Sequence, residues 1–239
     1  MKIDIIGRGN VATHLYNALS NVSDVMIVDP HRPNCSRVDC NLCIICVSDN
    51  VIEKIASQLA DHNAIIVHTS GSIPMSVLAR EKAGYGVFYP LQTFTKGSEL
   101  NYSEIPFFIE ASDVQTRDVL RNVASLITNK LYDADSEARK RLHLASVFAC
   151  NYVNHMFYIA DEILRESSFD LSVLMPLINK TMKKVTKITP YNAQTGPARR
   201  GDSEVIDKHI NMLSDRPDLA NIYSSLANSI RKLYLSDRE

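Results

Sequence analysis

Near the start of the chain, Gly7-Arg8-Gly9-Asn10-Val11-Ala12 stands between a short apolar run and a helical pattern. Lys2–Ile6 reads as a strand ending at Gly7, and Val11, Leu15, Ala18 and Leu19 recur at the i, i+4, i+7, i+8 spacing of one helix face. Strand, glycine turn and helix in that order begin a βαβ unit, which commits the region to a parallel sheet covered by helices. In this setting the six residues carry chemistry. Gly7 permits a tight turn, Gly9 leaves no Cβ between the backbone and a pyrophosphate, and Ala12 keeps the helix close to the sheet. The helix start adds free N–H groups and positive dipole. Asp29, twenty residues after Gly9 at the end of the next strand, suits the ribose hydroxyls of a dinucleotide. An ordinary glycine turn is the plainer alternative; strand, helix and acid together favour dinucleotide binding.

The alternation continues. Further strands are expected at 25–28, 42–47, 64–67, 86–89, 106–110 and 130–132, with helices at 51–59 and 113–127. From Asp135 only helical periodicity remains: 135–166, 170–188, 204–213 and 218–235, with an irregular loop over 189–202. This predicts two domains, 1–133 and 134–239. The 135–166 segment is apolar almost all round its middle, so several neighbours must cover it, and a second subunit is the expected source of part of that cover.

Composition removes other classes. With 26 Lys plus Arg against 27 Asp plus Glu, there is no basic excess for nucleic acid. The longest apolar runs, such as Leu42–Val47, fall far short of the ~20 residues of a membrane span. Asp4 inside the first apolar stretch, with a glycine turn behind it, argues against a signal peptide, so a cytoplasmic protein is expected. Cys35, Cys40, Cys43 and Cys46 are spaced much as in an iron–sulfur run. A strand over 41–47 would turn Cys43 and Cys46 to opposite faces, so no metal is expected and the cysteines read as small apolar filler.

Candidate site residues follow the strands. Ser48 and Asp49 come directly after the third, where they suit a helix cap and a cofactor contact equally. His68-Thr69-Ser70-Gly71-Ser72 follows the fourth, and its glycine between serines lets backbone approach a ligand. His68 itself fits either a buried, hydrogen-bonded role or catalysis. His31 and Arg32 could hold a 2′-phosphate that Asp29 would repel, leaving NAD and NADP both open. In the helical half His143, Asn151, Asn154 and His155 interrupt apolar surface. His143 and Asn154, eleven apart, are nearly eclipsed on an α-helix, so these groups form either a packing network or a pocket. Arg199 and Arg200, between Gly196 and Gly201, suit a clamp for an anionic group or a plain exposed turn.

The ordered set Gly7-Arg8-Gly9-Asn10, His68–Ser72, Tyr89-Pro90-Leu91-Gln92-Thr93-Phe94, His143-Leu144-Ala145 with Asn151, and Thr195-Gly196-Pro197 with Arg200-Gly201-Asp202 resembles one bacterial family over essentially the whole chain. These are Rossmann-like NADP oxidoreductases with a C-terminal helical domain of unknown function, related to deazaflavin-dependent NADP oxidoreductases and pyrroline-carboxylate reductase. The resemblance implies an α/β Rossmann-like nucleotide-binding domain followed by an all-α domain of the 6-phosphogluconate-dehydrogenase C-terminal type, a homodimer through that helical domain, and NADP or NAD as cofactor. Such a protein would move hydride between nicotinamide and a small carbonyl, imine or hydroxyl substrate. Gly7, Arg8, Gly9, Asn10, Val11 and Asp29 would hold the cofactor, and Ser48, Asp49 and Ser70 would border the nicotinamide. His143 would be the acid/base, Asn151 would orient the substrate, and Arg200 or Arg199 would hold an anionic group. The rival reading is a non-catalytic nucleotide-binding dimer, a redox sensor or regulator. One departure is plain: only Pro30–Asn41 stands where such proteins place a helix and a strand flooring the adenine pocket.

Overall fold

Each apolar run in the first half of the chain forms a strand. The computed structural model describes residues 1–33 and 36–235. Strands β1 (Lys2–Ile6), β2 (Asp24–Val28), β3 (Leu42–Ile45), β4 (Ile65–His68), β5 (Tyr85–Pro90), β6 (Phe107–Ala111) and β7 (Leu131–Asp133) make one sheet. Its order is β2-β1-β3-β4-β5-β6-β7. All neighbouring pairs run parallel except β5 and β6, which are antiparallel. Helices α1 (Asn10–Leu19), α2 (Asp49–Gln58) and α3 (Val114–Ser125) cover it.

The two-residue period of the strands divides the core. Ile3, Ile5, Ile44 and Phe107 pack with Leu15 and Leu19 of α1 and Leu120 of α3. Ile6, Cys43, Ile45 and Ile66 pack with Ile52 and Ile55 of α2. Cys46 belongs to the first group and Cys43 to the second, so these two cysteines do face opposite sides of the sheet. Cys43 instead meets Cys40, Sγ to Sγ 3.8 Å. Cys35 lies outside the described residues. Asp4, the acid inside the first apolar run, is fully buried and answered by the short crossover: Ser36 Oγ, Arg37 N and Arg37 Nε donate to it at 2.8, 2.7 and 2.8 Å. Among the described residues between Val28 and Leu42 there is no α-helix and no strand, so β2 is the sheet edge.

The chain forms two compact units, Met1–Ala149 and Cys150–Glu239. The secondary structure changes at Asp133, but helix α4 (Ser136–Ser146) still belongs to the first unit. Arg139 supplies the reason: it is completely buried and bonded to the Ser70 and Ile73 carbonyls and to Glu110.

The second unit contains α5 (Val153–Leu164), α6 (Met175–Val185), α7 (Pro190–Ala193), α8 (Pro197–Arg200), α9 (Ser203–Met212) and α10 (Pro217–Leu235). Two expectations are corrected. The 135–166 helix is interrupted by a π-helical turn, Val147–Tyr152, so the 3.6-residue phase behind the eleven-residue spacing rule does not run through it. The 189–202 loop holds two one-turn helices, each with proline in its first turn, while Gly196 and Gly201 take positive φ of 104° and 76°. Four residues are too few to show a period. The apolar side chains of the second unit are mostly not covered within it: only Ala198, Ile206 and Ala227 are buried among its described residues. Among the described residues no helix is long and apolar enough to cross a membrane.

Candidate nucleotide and proton-transfer site

Chain order reverses at β1, which has β2 on one side and β3 on the other. In such sheets a crevice opens at the carboxyl ends of the strands there. Gly7 occupies that point with φ +145°, and a Cβ on it would stand 2.1 Å from the Cys46 carbonyl oxygen. Its N–H donates to the Val28 carbonyl at 3.2 Å, so the turn is wedged between the ends of β2 and β3. Gly9 differs. Its φ and ψ of −79° and −177° are open to any residue, and a Cβ there would meet nothing within 4 Å. As the N-cap of α1 it has no side chain to bond the first N–H groups of the helix, and among the described residues none does so; those groups border an open space.

That space is a groove of about 510 Å³ lined by Gly7, Arg8, Gly9, Asn10 and Val11 together with Pro30, Cys46, Val47, Ser48, Thr69, Gln92 and Phe94. A second groove of about 380 Å³ shares Pro30, Val47 and Ser48 with it and is also lined by His31, Asn50, Val51 and Lys54. The short crossover thus leaves an adjoining groove between its start and α2. The Asn10 amide donates to the Phe94 carbonyl at 2.9 Å, and His14 bridges the Thr95 carbonyl and Tyr102 Oη at 2.8 and 2.9 Å. These bonds staple the loop after β5 to α1.

Asp29 accepts from the His31 N–H at 2.9 Å and pairs with Arg8 at 3.2 Å. The His31 N–H above all, with the charges of Arg8, His31 and Arg32, holds its carboxyl below the ordinary range against some desolvation. Ser48 stands at the N-cap of α2 without a side-chain cap bond, and Asp49 accepts from Ser72 Oγ at 2.6 Å. Ser70 Oγ accepts from the Ser72 and Ile73 N–H groups at 3.1 and 3.0 Å, so its side chain shapes the turn. His68 is fully buried and its Nδ1 accepts from the Ser70 N–H at 3.2 Å. Burial first, then the Arg139 charge, lowers its pKa to about 4 against the pull of the Pro74 carbonyl and Asp49. This environment favours the neutral imidazole.

Beyond Gly71, His143 meets a residue to which the sequence assigned no role: Tyr89 Oη is 3.2 Å from His143 Nδ1. Behind it, Glu110 accepts from Arg139 and from Ser136 N and Oγ, both at 3.0 Å for Oε1. Arg139 gives no local sign that it will be buried between Ala138 and Lys140. An acid in the strand run 106–110, needing a partner, was the available signal. Gly7–Val11, Asp29, Ser48, Asp49, Ser70 and His143 all fall in the first unit. Asn151, on the π-helical turn, and Arg200 fall in the second, and both are exposed. Arg199 is committed to the Gln194 carbonyl and lies 5.0 Å from the Tyr234 ring centre, whereas the ion-pair contact of Arg200 among the described residues is to Asp202 at 3.9 Å. Asn154 and His155 are also exposed, and His155 stacks on Tyr158.

Glycine turn, uncapped helix and crevice at the order reversal define the first unit as a Rossmann fold, followed by a helical region. Residues 105–230 match the family described as "Domain of unknown function (DUF2520)", and the chain belongs to that family. It is similar to a structure described as a putative NADP oxidoreductase from Bacteroides fragilis, at 38% identity over 97% of this chain and 98% of that one, with a TM-score of 0.87. A protein from Thermotoga maritima shares the fold at 19% identity, covering 99% of this chain and 100% of that one, with a TM-score of 0.73. So does a reductive aminase from Aspergillus terreus in complex with NADPH and ethyl levulinate, at 13% identity, 98% and 90% coverage and a TM-score of 0.61. No curated protein matches the chain.

Proposed function

We propose that this protein is an NADP- or NAD-dependent oxidoreductase that exchanges hydride with a small carbonyl, imine or hydroxyl compound. The observation that carries the reading is the uncapped start of α1 behind Gly7 and Gly9, facing a groove of about 510 Å³. The similarity to the Bacteroides fragilis protein, described as an NADP oxidoreductase, supports it. The residues present fit a dinucleotide: Gly9 leaves the space before the helix empty, and the adjoining groove gives the adenosine side a place despite the short crossover. Backbone N–H groups of Arg8, Gly9, Asn10 and Val11 would hold the diphosphate, with Gly7 setting the turn. Asp29, or the cations Arg8, His31 and Arg32 around it, would meet the adenosine ribose. Ser48, Asp49 and the Ser70 turn would border the nicotinamide. When bound, the coenzyme supplies the hydride chemistry itself. His143 moves the accompanying proton at the substrate oxygen or nitrogen. Asn151 orients the substrate, Arg200 holds an anionic substituent, and two copies pair through the helical region.

Fluorescence titration with NADPH and NADH tests the reading. Gly9→Val should keep the thermal transition of the parent, because its dihedrals and surroundings accept a side chain, yet weaken binding about a hundredfold, roughly two charge-assisted backbone hydrogen bonds. Equal binding by the variant overturns the assignment. His143→Gln should bind coenzyme normally and lose about 10²–10⁴ in turnover of small ketones or imines. Coenzyme binding with no turnover by either protein would favour the non-catalytic alternative.

A further inference from the structure

Two side chains of α1, one turn apart, bond successive carbonyls of the loop after β5. Asn10 and His14 share a helix face at i and i+4. Asn10 Nδ2 donates to the Phe94 carbonyl at 2.9 Å, and His14 Nε2 lies 2.8 Å from the Thr95 carbonyl oxygen. A carbonyl can only accept, so Nε2 carries a proton. In the neutral ring Nδ1 is then bare, and Tyr102 Oη, 2.9 Å away, donates to it. His14 is thus a polar ring only 2% exposed, with a partner on each nitrogen. It also packs on Phe94, with 5.1 Å between the ring centres.

Neither the helix nor the carbonyl needs this histidine for itself. Ala12, Leu15 and Leu19 already seat α1 on the sheet. The Thr95 carbonyl also accepts from Ser98 N and Ser98 Oγ at 3.1 and 2.8 Å. What the bonds from α1 fix is where the loop stands. Residues 91–101 form no helix or strand, yet Gln92 and Phe94 line the same groove as Gly7–Val11. A loop left to wander there would have to be ordered by the ligand, at the expense of affinity. The loop also has a side. In the sheet order β5 lies beyond β3 and β4, away from β2 and Asp29, so it flanks the half of the crevice opposite the adenosine end.

We infer that the loop after β5 is a second wall of the coenzyme site, with Gln92 and Phe94 as its contact residues toward the nicotinamide half, and that His14 is the positioning residue that sets this wall before coenzyme arrives. The inference rests on the oxidoreductase reading above for its ligand. Gln92 offers an amide donor and acceptor, and Phe94 an apolar rim, beside the backbone N–H groups at the start of α1.

Hydrogen exchange and coenzyme titration together test it. In the parent, saturating NADPH should slow amide exchange over residues 91–96. His14→Phe suits the aromatic surroundings but makes neither bond. It should speed exchange there without coenzyme and weaken NADPH binding about tenfold, the worth of one or two neutral hydrogen bonds. His14→Gln, whose amide keeps one donor group and one acceptor, should recover most of that affinity. A folded His14→Phe that binds as the parent does overturns the proposal, as does a His14→Gln that binds no tighter than His14→Phe. Should His14→Phe not fold, the parent decides: coenzyme that binds and leaves 91–96 unprotected overturns the wall. A parent that binds neither NADPH nor NADH removes the wall's ligand along with the oxidoreductase reading itself, a result distinct from all of these.

Discussion

Gly7 and Gly9 look alike in the sequence and are needed for opposite reasons. Gly7 has no room: its φ is +145° and the Cys46 carbonyl would overlap any Cβ. Gly9 has nothing but room. Gly7→Ala should therefore cost roughly 2–4 kcal/mol of stability in urea unfolding, combining backbone strain with a clash against main chain, while Gly9→Ala stays near the parent. The same sequence position rules made both visible, because a strand ending in glycine and opening a helix leaves few other geometries. His68 was legible only as one of two alternatives. Its neutral, buried form now has a consequence for pH. The unfolded chain protonates it near 6.5 and the folded one near 4, so between those values the unfolded state binds more protons. Stability from this group is complete above about pH 6.5 and falls as the pH drops toward 4, by at most roughly 3 kcal/mol. Urea midpoints at pH 7.5 and 4.5 should separate less in His68→Asn than in the parent.

At the scale of elements, long periodic segments were readable and short or irregular ones were not. Every strand of the sheet was signalled by an apolar run, and α1, α2, α3, α9 and α10 by their stripes. The π-helical turn at Val147–Tyr152 was not, since one extra residue per turn leaves an apolar segment apolar. Nor was the attachment of α4, which depends on a tertiary ion pair rather than on a stripe. Arg139 ties the start of α4 to β6 through Glu110 and to the turn after β4 through two carbonyls. Arg139→Met should leave the largely buried Glu110 carboxylate and both carbonyls unanswered, at a cost of about 3–5 kcal/mol. Thermal unfolding of Arg139→Met with and without Glu110→Gln separates the two losses. The double variant should recover part of the stability, because the uncompensated charge is gone while the carbonyls stay unpaired.

On the scale of the molecule the two units are stabilised unequally. The first has apolar clusters on both faces of its sheet. The second buries only three apolar side chains among its described residues, while Leu177, Phe169, Val173 and Met182 are 64%, 60%, 51% and 54% exposed. So many exposed apolar side chains on one helical unit suit the proposed pairing of two copies. The sequence carried half of this: the all-round apolar helix called for neighbours, but no periodicity says which chain they come from. If the proposed pairing supplies them, sedimentation equilibrium should give a dimer at micromolar concentration. Leu177→Glu combined with Val173→Glu should shift the protein to monomer, since two desolvated carboxylates would face each partner's apolar surface. The same variant should still bind NADPH at the first unit, because Gly7, Gly9 and the start of α1 belong wholly to that unit. A double variant that remains dimeric would place the cover elsewhere, and one that loses coenzyme as well would tie the nucleotide groove to the assembled pair.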